Sequence, residues 1–202
     1  MSRTKFSAYL GPTESVRVAG ALLAAGSGSR FHGTGHKLLA DLHGEPVVAH
    51  AARSMVGSGL AGCIVVTGAA QLDAALSGFP ELQIVNNSKF EDGIATSLAV
   101  AVAWAIDGGF EALIVGLGDQ PGVLSSAWRL LARSSSPLAV ASYDGRPGNP
   151  VRLGKSVWPF LPSSGDEGAR VLLRTRPELV EQVACEGSPD DIDTVEDLGQ
   201  WS

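Results

Sequence analysis

A glycine-rich stretch that carries two cationic side chains is the first candidate for chemistry in this sequence. It runs from Gly26 to Lys37, holds four glycines within ten residues and includes Arg30. Backbone N–H groups of such a loop can face an anion, while Arg forks onto phosphate oxygens and Lys adds a compact charge. The stretch predicts a phosphate-binding loop. The alternative is a flexible surface turn whose two cations are solvated.

Two well-known phosphate-binding motifs do not fit this loop. Gly26 and Gly28 have the spacing that begins a dinucleotide-binding fingerprint, but Phe31 stands where that fingerprint has its third glycine. A Walker loop requires Ser or Thr directly after its lysine, and Leu38 follows Lys37. A dinucleotide-dependent oxidoreductase is therefore the least favoured class of enzyme.

Asp119 is the first candidate ligand for a divalent cation. It follows the apolar run 112–117, which predicts a buried strand. A carboxylate at the end of such a strand faces the crevice where parallel sheets bind ligands, and hard cations prefer oxygen ligands. The alternative role for Asp119 is a cap for the helix that follows.

An acidic cluster near the C terminus supplies further carboxylates, with four Asp and one Glu in residues 190–197. Alternation along an extended segment would point Asp191 and Asp193 to the same side, where they could hold a cation together with Asp119. The same stretch also suits a helix start, because Thr194 precedes acids that are favourable at a helix N-terminus. Both interpretations stay open on the sequence alone.

Strands and helices alternate along the chain and must position these loops. The predicted strands are residues 16–25, 61–67, 82–85, 112–117, 138–142 and 179–183. The predicted helices are residues 46–55, 71–76, 94–106, 125–133, 166–175 and a short one from 195. Near-continuous apolar strands between helices predict an α/β fold with a mostly parallel sheet covered on both faces. The segment 145–150, which follows the strand 138–142, is assigned neither a strand nor a helix.

Length, charge and cysteine content limit the function classes. The 202 residues, 45% of them hydrophobic, predict one domain over residues 16–202 after a disordered leader over residues 1–15. The net charge is −6 and no long basic run occurs, which argues against nucleic-acid and membrane partners. Cys63 and Cys185 form no disulfide framework, as expected for a cytoplasmic protein.

Six segments together resemble the MobA-like nucleotidyltransferases, and most of all their molybdenum-cofactor cytidylyltransferase branch. These segments lie in the family's order and span residues 16–200. They are Leu23–Leu39, Gly93–Leu98, Gly118–Pro121, Gly148–Pro150, Gly165–Arg170 and Asp191–Leu198. The resemblance implies a Rossmann-like, three-layer nucleotidyltransferase fold.

The resemblance also implies a role for each matching residue, with Arg30, Lys37 and Asp119 as the catalytic set. The implied nucleotide pocket consists of Leu23, Ala24, Ala25, Gly26, Ser27, Gly28, Arg30, Lys37, Gly93, Ser97 and Asp119. The implied metal ligands are Asp119, Asp191 and Asp193, for Mg²⁺ with Mn²⁺ as the alternative. The implied acceptor site consists of Asn149, Pro150, Asp166, Gly168 and Arg170.

The implied reaction is transfer of CMP from CTP to the terminal phosphate of molybdopterin or its molybdenum form, with release of pyrophosphate. The preference for CTP rests on Ala24-Ala25-Gly26, since guanylyl relatives carry a second glycine there. The alternatives are a guanylyltransferase, a nucleotidyltransferase with another phosphorylated acceptor, and a non-catalytic cofactor-binding maturation protein. A molybdoenzyme or its maturation factor is the implied protein partner.

Three positions depart from the family pattern. The spacing between Arg30 and Lys37 is longer than usual, Asn149 replaces a histidine before Pro150, and Val195 replaces a proline after Thr194. The first departure bears on how Lys37 meets phosphate, and the second bears on the acceptor.

Overall fold

A seven-stranded sheet runs through the centre of the protein, in a computed structural model that describes residues 16–33 and 35–201. The predicted leader, residues 1–15, lies outside the described residues. The strands are β1 (Val18–Ala24), β2 (Asp41–Leu42), β3 (Glu45–Pro46), β4 (Cys63–Thr67), β5 (Leu82–Asn86), β6 (Ala112–Leu117), β7 (Leu138–Tyr143), β8 (Arg146–Gly154) and β9 (Val180–Ala184). The helices are α1 (Val47–Val56), α2 (Asp73–Leu76), α3 (Ile94–Asp107), α4 (Ser125–Arg133), α5 (Arg170–Thr175) and α6 (Val195–Gln200).

The order of the strands creates a crevice beside β1. The sheet runs β5-β4-β1-β6-β8-β7-β9, with β4 and β6 both parallel to β1 on its two sides. The chain first moves outward from β1 through β4 and β5 and then returns to place β6 on the other side. Loops that leave β1 and β6 at their carboxyl ends therefore diverge, and ligands bind at such a switch point.

Buried apolar sequence explains why β1 and β4 lie inside the sheet rather than at its edge. All seven residues of β1 and all five of β4 are buried, as expected for parallel strands covered on both faces. Helices α1, α2 and α4 cover one face in a cluster that includes Leu22 and Trp128. Helices α3 and α5 cover the other face in a cluster that includes Leu98 and Val115. The three predicted layers are confirmed.

Most predicted elements agree with the structure to within two residues at each end, but a strand that begins at Arg146 has no counterpart among the predicted elements. This strand is β8, which pairs antiparallel with both β6 and β7. Pro147 and Pro150 disfavour a strand inside a sheet, so local propensity does not indicate that β8 forms here. A register shift between Val140 and Ala141 accommodates this irregular strand.

Two smaller differences also come from local backbone geometry. The helix predicted from 166 begins only at Arg170, because Gly165 and Gly168 have positive φ angles of 89° and 50° and form a loop. The β2–β3 hairpin was not predicted, and its turn uses positive φ angles at His43 and Gly44. Within the described residues, no helix combines the length and the apolar character needed to cross a membrane.

The loop that precedes α5 is fastened to the start of α3. The Ala95 N–H donates to the Gly165 carbonyl at 3.0 Å, and the Gly165 N–H donates to the Asp92 carbonyl at 2.9 Å. Gly93 makes this approach possible: its φ is +99°, and a Cβ there would overlap the Gly165 backbone. The loop before α5 thus depends on a glycine at the residue that directly precedes α3.

We expect Gly93→Ala to lower the free energy of unfolding by about 2 kcal/mol or more, because alanine is strained at positive φ and its methyl group would displace the Gly165 loop. Gly78→Ala is the matched control, since a Cβ at Gly78 meets no atom within 4 Å and the glycine lacks a positive φ. Urea denaturation of both variants measures the effect. Equal stability of the two would contradict this account of the junction.

Candidate active site

The loop after β1 is shaped by a histidine that the sequence analysis did not single out. Nε2 of His36 lies 2.9 Å from the Gly26 carbonyl, and Nδ1 accepts from the Leu38 N–H at 3.2 Å. Because Nδ1 accepts, the hydrogen-bond network assigns the ring proton to Nε2, which donates to Gly26. Gly28 adopts a φ of +63° within this loop. His36 therefore fastens the end of the loop to its beginning at Gly26.

Lys37 lies at the centre of the site, at the end of this loop. It begins a short 3₁₀ turn, and the whole residue is only 9% exposed. Its ammonium lies 2.6 Å from Oδ2 of Asp119 and 2.7 Å from Oδ1 of Asp193. Burial by itself lowers the pKa of this ammonium, but the two carboxylates outweigh burial and hold the pKa above its usual value. Lys37 is therefore a buried, charged and paired lysine, and the solvated alternative does not describe it.

Arg30 differs from Lys37 in its exposure. Its guanidinium lies 2.8 Å from Oδ2 of Asp193, while 74% of its side chain is exposed. A pair this open to water contributes little to stability. Arg30 is accordingly free to exchange Asp193 for an anionic ligand at small cost.

Asp119 lies just after the end of β6, and a backbone hydrogen bond to the C-terminal segment fixes its position. Its carbonyl accepts from the Ile192 N–H at 2.9 Å, which ties β6 to the C-terminal segment. It caps no helix, since α4 begins six residues later, after Leu124. Burial raises the pKa of the Asp119 carboxyl above its usual range; Lys37 opposes this rise and the charge of Asp191 adds to it. Burial thus makes the ionised form of the Asp119 carboxyl less favourable than it would be in water.

Ile192 explains how the C-terminal acids reach the crevice. Its side chain is fully buried in a cluster with Phe31, Leu42 and Val47. With Ile192 turned inward, Asp191 and Asp193 both lie on the side of Asp119, as strand-like alternation predicts. One ligand oxygen from each of the three carboxylates lies within 4.8 Å of the others.

A divalent cation fits this carboxylate triad. Oδ1 of Asp119 is buried and has no hydrogen-bond partner, whereas Oδ2 is taken by Lys37. A buried, unpartnered carboxylate oxygen is costly unless a ligand satisfies it. Oxygen donors at this spacing suit hard cations such as Mg²⁺ or Mn²⁺.

The two interpretations of the acidic cluster are both present, in different residues. Asp193 joins the site, while Thr194 and Asp197 together cap α6. The Asp197 N–H donates to the Thr194 hydroxyl at 3.1 Å, and the Thr194 N–H donates to the Asp197 carboxylate at 2.9 Å. This capping box fixes the chain directly after Asp193. The helix start therefore positions the acidic ligand.

A cavity of about 610 Å³ opens above this charged cluster. It is lined by every residue that the resemblance assigned to nucleotide binding: Leu23, Ala24, Ala25, Gly26, Ser27, Gly28, Arg30, Lys37, Gly93, Ser97 and Asp119. Asp193 and Asp166 also line it, whereas Asp191 reaches only the carboxylate triad. The volume falls within the range of small-molecule sites.

A second chamber of about 540 Å³ adjoins the first and shares Leu23, Ile94, Leu117 and Asp166 with it. Its walls are mostly apolar side chains from the sheet, α3 and α5. Of the residues assigned to the acceptor, this chamber is lined by Asn149, Asp166, Gly168 and Arg170. Pro150 is buried in β8 and does not line it.

Sequence reasoning missed three residues that build the site: His36, Ile192 and Asn87. Asn87 directly follows β5 at the same edge of the sheet as Asp119, so its position after a predicted strand was a usable signal. The alternation of Asp191, Ile192 and Asp193 was a usable signal for an inward Ile192, whereas His36 acts through contacts with the backbone of Gly26 and Leu38 that no local pattern marks.

A family model for the MobA-like NTP transferase domain matches residues 20–183. The chain belongs to the MobA-like NTP transferase family. It is 35% identical to nicotine blue oxidoreductase of Paenarthrobacter nicotinovorans, over 94% of this chain and 98% of that protein. It is also 33% identical to the bifunctional protein GlmU of Sphingopyxis alaskensis, over 69% of this chain but only 31% of that longer protein.

Solved structures confirm the predicted nucleotidyltransferase fold. A nucleotidyl transferase from Methanothermobacter superimposes with a TM-score of 0.78 at 24% identity, covering 91% of this chain and 95% of that one. Rv0371c of Mycobacterium tuberculosis, in complex with manganese, gives a TM-score of 0.73 at 22% identity, covering 92% and 97%. The inositol-1-phosphate CTP transferase of T. maritima gives 0.71 at 17% identity, covering 91% of each.

We expect Asp119→Asn to weaken Mn²⁺ binding by about 10- to 100-fold or more, because even groups that only support a metal ligand contribute that much. Asp73→Asn, an exposed acid on α2, is the control with the same change of charge. Titration followed by the electron paramagnetic resonance of free Mn²⁺ measures both. Unchanged affinity in Asp119→Asn would contradict the metal assignment.

The same titration has an expected pH dependence. The raised pKa of Asp119 means that protons compete for this carboxylate at a higher pH than for an ordinary aspartate. Affinity for Mn²⁺ should therefore fall as the pH is lowered, and the fall should begin above the usual range of aspartate. A flat profile down to that range would show that Asp119 is not a ligand.

Proposed function

We propose that the protein transfers a nucleoside monophosphate from an NTP to a phosphorylated acceptor and releases pyrophosphate. The observation that carries this proposal is the meeting of Lys37, Arg30 and three carboxylates at the switch point of the sheet, between a polar and an apolar cavity. CTP is the proposed nucleotide and a pterin-type phosphate the proposed acceptor.

The glycine loop, Arg30 and Lys37 supply the contacts to phosphate. A protein of net charge −6 cannot attract two polyanions through its overall field, so local cations must do so. Arg30 can fork onto phosphate oxygens from its exposed position, and the buried Lys37 offers a fixed positive charge beside the reacting centre. Both side chains neutralise negative charge on the phosphates, and neither transfers a proton.

The chemistry needs no dedicated general base. The terminal phosphate of the acceptor has a second pKa of about 6 and is mostly a dianion near neutral pH. One of its oxygens forms a bond to the α-phosphorus of the NTP, while the bond from that phosphorus to the β-phosphate oxygen breaks and pyrophosphate leaves. Positioning and charge neutralisation by the protein are the main catalytic contributions to such transfers.

A divalent cation held by Asp119, Asp191 and Asp193 would neutralise charge on the phosphate oxygens and on the leaving pyrophosphate. Asp119 and Asp193 also fix the ammonium of Lys37, so the same two side chains orient both kinds of positive charge. This shared role explains why three acids surround a site for anionic substrates.

The second chamber favours a flat acceptor over a polyhydroxylated one. Its side chains are largely apolar, and Glu167 and Arg174, which lie within it, already bond to each other at 2.6 and 2.9 Å. Sugar hydroxyls that face the apolar walls rather than Asn149, Asp166 or Arg170 would lack partners, each at a cost of about 1–3 kcal/mol. The face of a pterin ring suits such walls, and the exposed Arg170 at the chamber can pair with its phosphate.

Nicotine blue oxidoreductase, to which the chain is 35% identical, makes redox chemistry the second candidate function. A flat aromatic substrate would also suit the apolar chamber. The carboxylate triad around Lys37 favours phosphate transfer, because the phosphates of a nicotinamide dinucleotide would meet three acids that hydride transfer does not use.

A single panel of reactions separates the two functions. With Mg²⁺ and a pterin phosphate acceptor, we expect pyrophosphate release with CTP to exceed that with GTP, ATP or UTP by about tenfold or more in kcat/KM. With NADH or NADPH and nicotine blue, we expect no loss of absorbance by the reduced nicotinamide. Nicotinamide oxidation without turnover of any NTP would replace the transferase proposal with the oxidoreductase one.

We expect Arg170→Ala to raise the KM for the phosphorylated acceptor by about tenfold or more, because a charge-assisted contact to phosphate is lost. The KM for CTP should not change. Arg176→Ala is the control, since Arg176 is a similarly exposed arginine outside the chamber. Steady-state kinetics with both substrates varied measure the effect, and equal KM values in the two variants would place the acceptor elsewhere.

A further inference from the structure

A buried asparagine holds one wall of the nucleotide cavity. Asn87 follows β5 and is only 4% exposed. Its Nδ2 group donates to the hydroxyl oxygen of Thr96 at 2.8 Å and to that of Ser97 at 2.9 Å. Its Oδ1 accepts from the Lys89 N–H at 2.9 Å. Asn87 thus ties the segment after β5 to the first turns of α3.

The orientation of this amide is determined by its partners. The Lys89 backbone N–H can only donate, so the atom of Asn87 that faces it must be the oxygen. The two protons on Nδ2 consequently point toward Thr96 and Ser97. Thr96 directs its own proton to the carbonyls of Lys89 and Gly93, both at 2.9 Å. Every polar atom of Asn87 and Thr96 is therefore in use.

Ser97 is the only member of this group that lines the nucleotide cavity, and it is 2% exposed. Its oxygen accepts from Asn87, which leaves its own proton to donate. None of the hydrogen bonds found among residues 16–33 and 35–201 gives that proton an acceptor. A buried hydroxyl proton without a partner is unfavourable unless a ligand accepts it.

The position of Ser97 in α3 places it on the side of the cavity away from Lys37 and the carboxylate triad, where Glu91 and Asp166 are the charged lining residues. Asn87 follows β5, which lies beyond β4 on one side of β1, whereas Asp119 follows β6 on the other side. Arg30, Lys37 and the carboxylates gather on the β6 side. A nucleotide with its phosphates among those charges places its base toward α3 and Ser97.

We propose that Asn87 is a positioning residue that makes Ser97 a hydrogen-bond donor to an acceptor atom of the nucleobase. A ring carbonyl or an unprotonated ring nitrogen satisfies Ser97, whereas an amino group at that place would meet another donor. This inference rests on the proposed function, because it requires that a nucleotide occupies the cavity. It extends that function by assigning the hydrogen-bond polarity with which the base is selected.

Reversing the polarity of position 87 tests the proposal. In Asn87→Asp, the introduced carboxylate accepts the Ser97 proton, so the hydroxyl can no longer donate to the base. We expect the Kd for CTP, measured by isothermal titration calorimetry with Mg²⁺ and no acceptor, to rise about tenfold, as expected for one lost hydrogen bond. Ser97→Ala should cause a similar rise, and the Asn87→Asp, Ser97→Ala double variant should bind CTP no more weakly than Ser97→Ala alone.

Tripolyphosphate is the matched probe, since it carries the phosphates without a base. Its Kd should be the same in the wild type, Asn87→Asp and Ser97→Ala. Thr96→Val is the matched protein control: it removes the other partner of Asn87 outside the cavity, so it should lower stability but leave the Kd for CTP unchanged. If Asn87→Asp does not fold, Asn87→Ala replaces it: the Ser97 hydroxyl then loses the partner that orients it, so we expect a smaller rise in the Kd for CTP that is absent when Ser97 is already alanine.

The outcomes separate this inference from the proposed function. If the wild type binds and transfers CMP but Asn87→Asp binds CTP as the wild type does, only the role of Asn87 is overturned. Additive effects of the two substitutions would mean that Asn87 does not act through Ser97. Equal losses for CTP and tripolyphosphate would mean that Ser97 does not contact the base. If the wild type binds no NTP, the proposed function itself fails.

Discussion

The buried ammonium of Lys37 between Asp119 and Asp193 is the interaction on which the site depends. Three separate parts of the chain meet there: the loop after β1, the end of β6 and the C-terminal segment. Without the lysine, the acids would repel one another in a place that water reaches poorly, and burial already raises the pKa of Asp119. Because breaking a buried pair leaves a charge without compensation, this ion pair constrains where all three segments can lie.

The strand order determines what surrounds that charge. The switch point between β1 and β6 opens the crevice, and β8 enters the sheet antiparallel beside β6 to form part of the second chamber. The contact between Gly93 and Gly165 joins the start of α3 to the loop before α5, at the boundary of the two cavities. One edge of the sheet therefore presents a charged cavity and, directly beside it, a mostly apolar one.

The relatives of this chain show why fold alone does not decide its reaction. One is named an oxidoreductase, while structural neighbours are named as transferases. A flat apolar chamber beside a glycine loop can serve either chemistry. The distinguishing features are the unpartnered Asp119 oxygen and the carboxylates around it, since these provide oxygen ligands for a cation that phosphate transfer uses. Function is thus argued from the charged cluster and not from the sheet.

The sequence by itself determined the alternating α/β order, the family, and most of the residues that line the nucleotide cavity, because buried parallel strands and glycine loops leave strong local patterns. It could not place β8, since prolines at 147 and 150 oppose a strand and only pairing with β6 and β7 offsets them. It left Asp119 as either a cap or a ligand, and the acidic cluster as either a helix start or a set of ligands, because both roles use the same types of side chain. Only the tertiary structure shows where they lie: the buried side chain of Ile192 directs Asp193 to Lys37, and Asn87 bonds to Ser97, through contacts that are distant in sequence or absent from any motif.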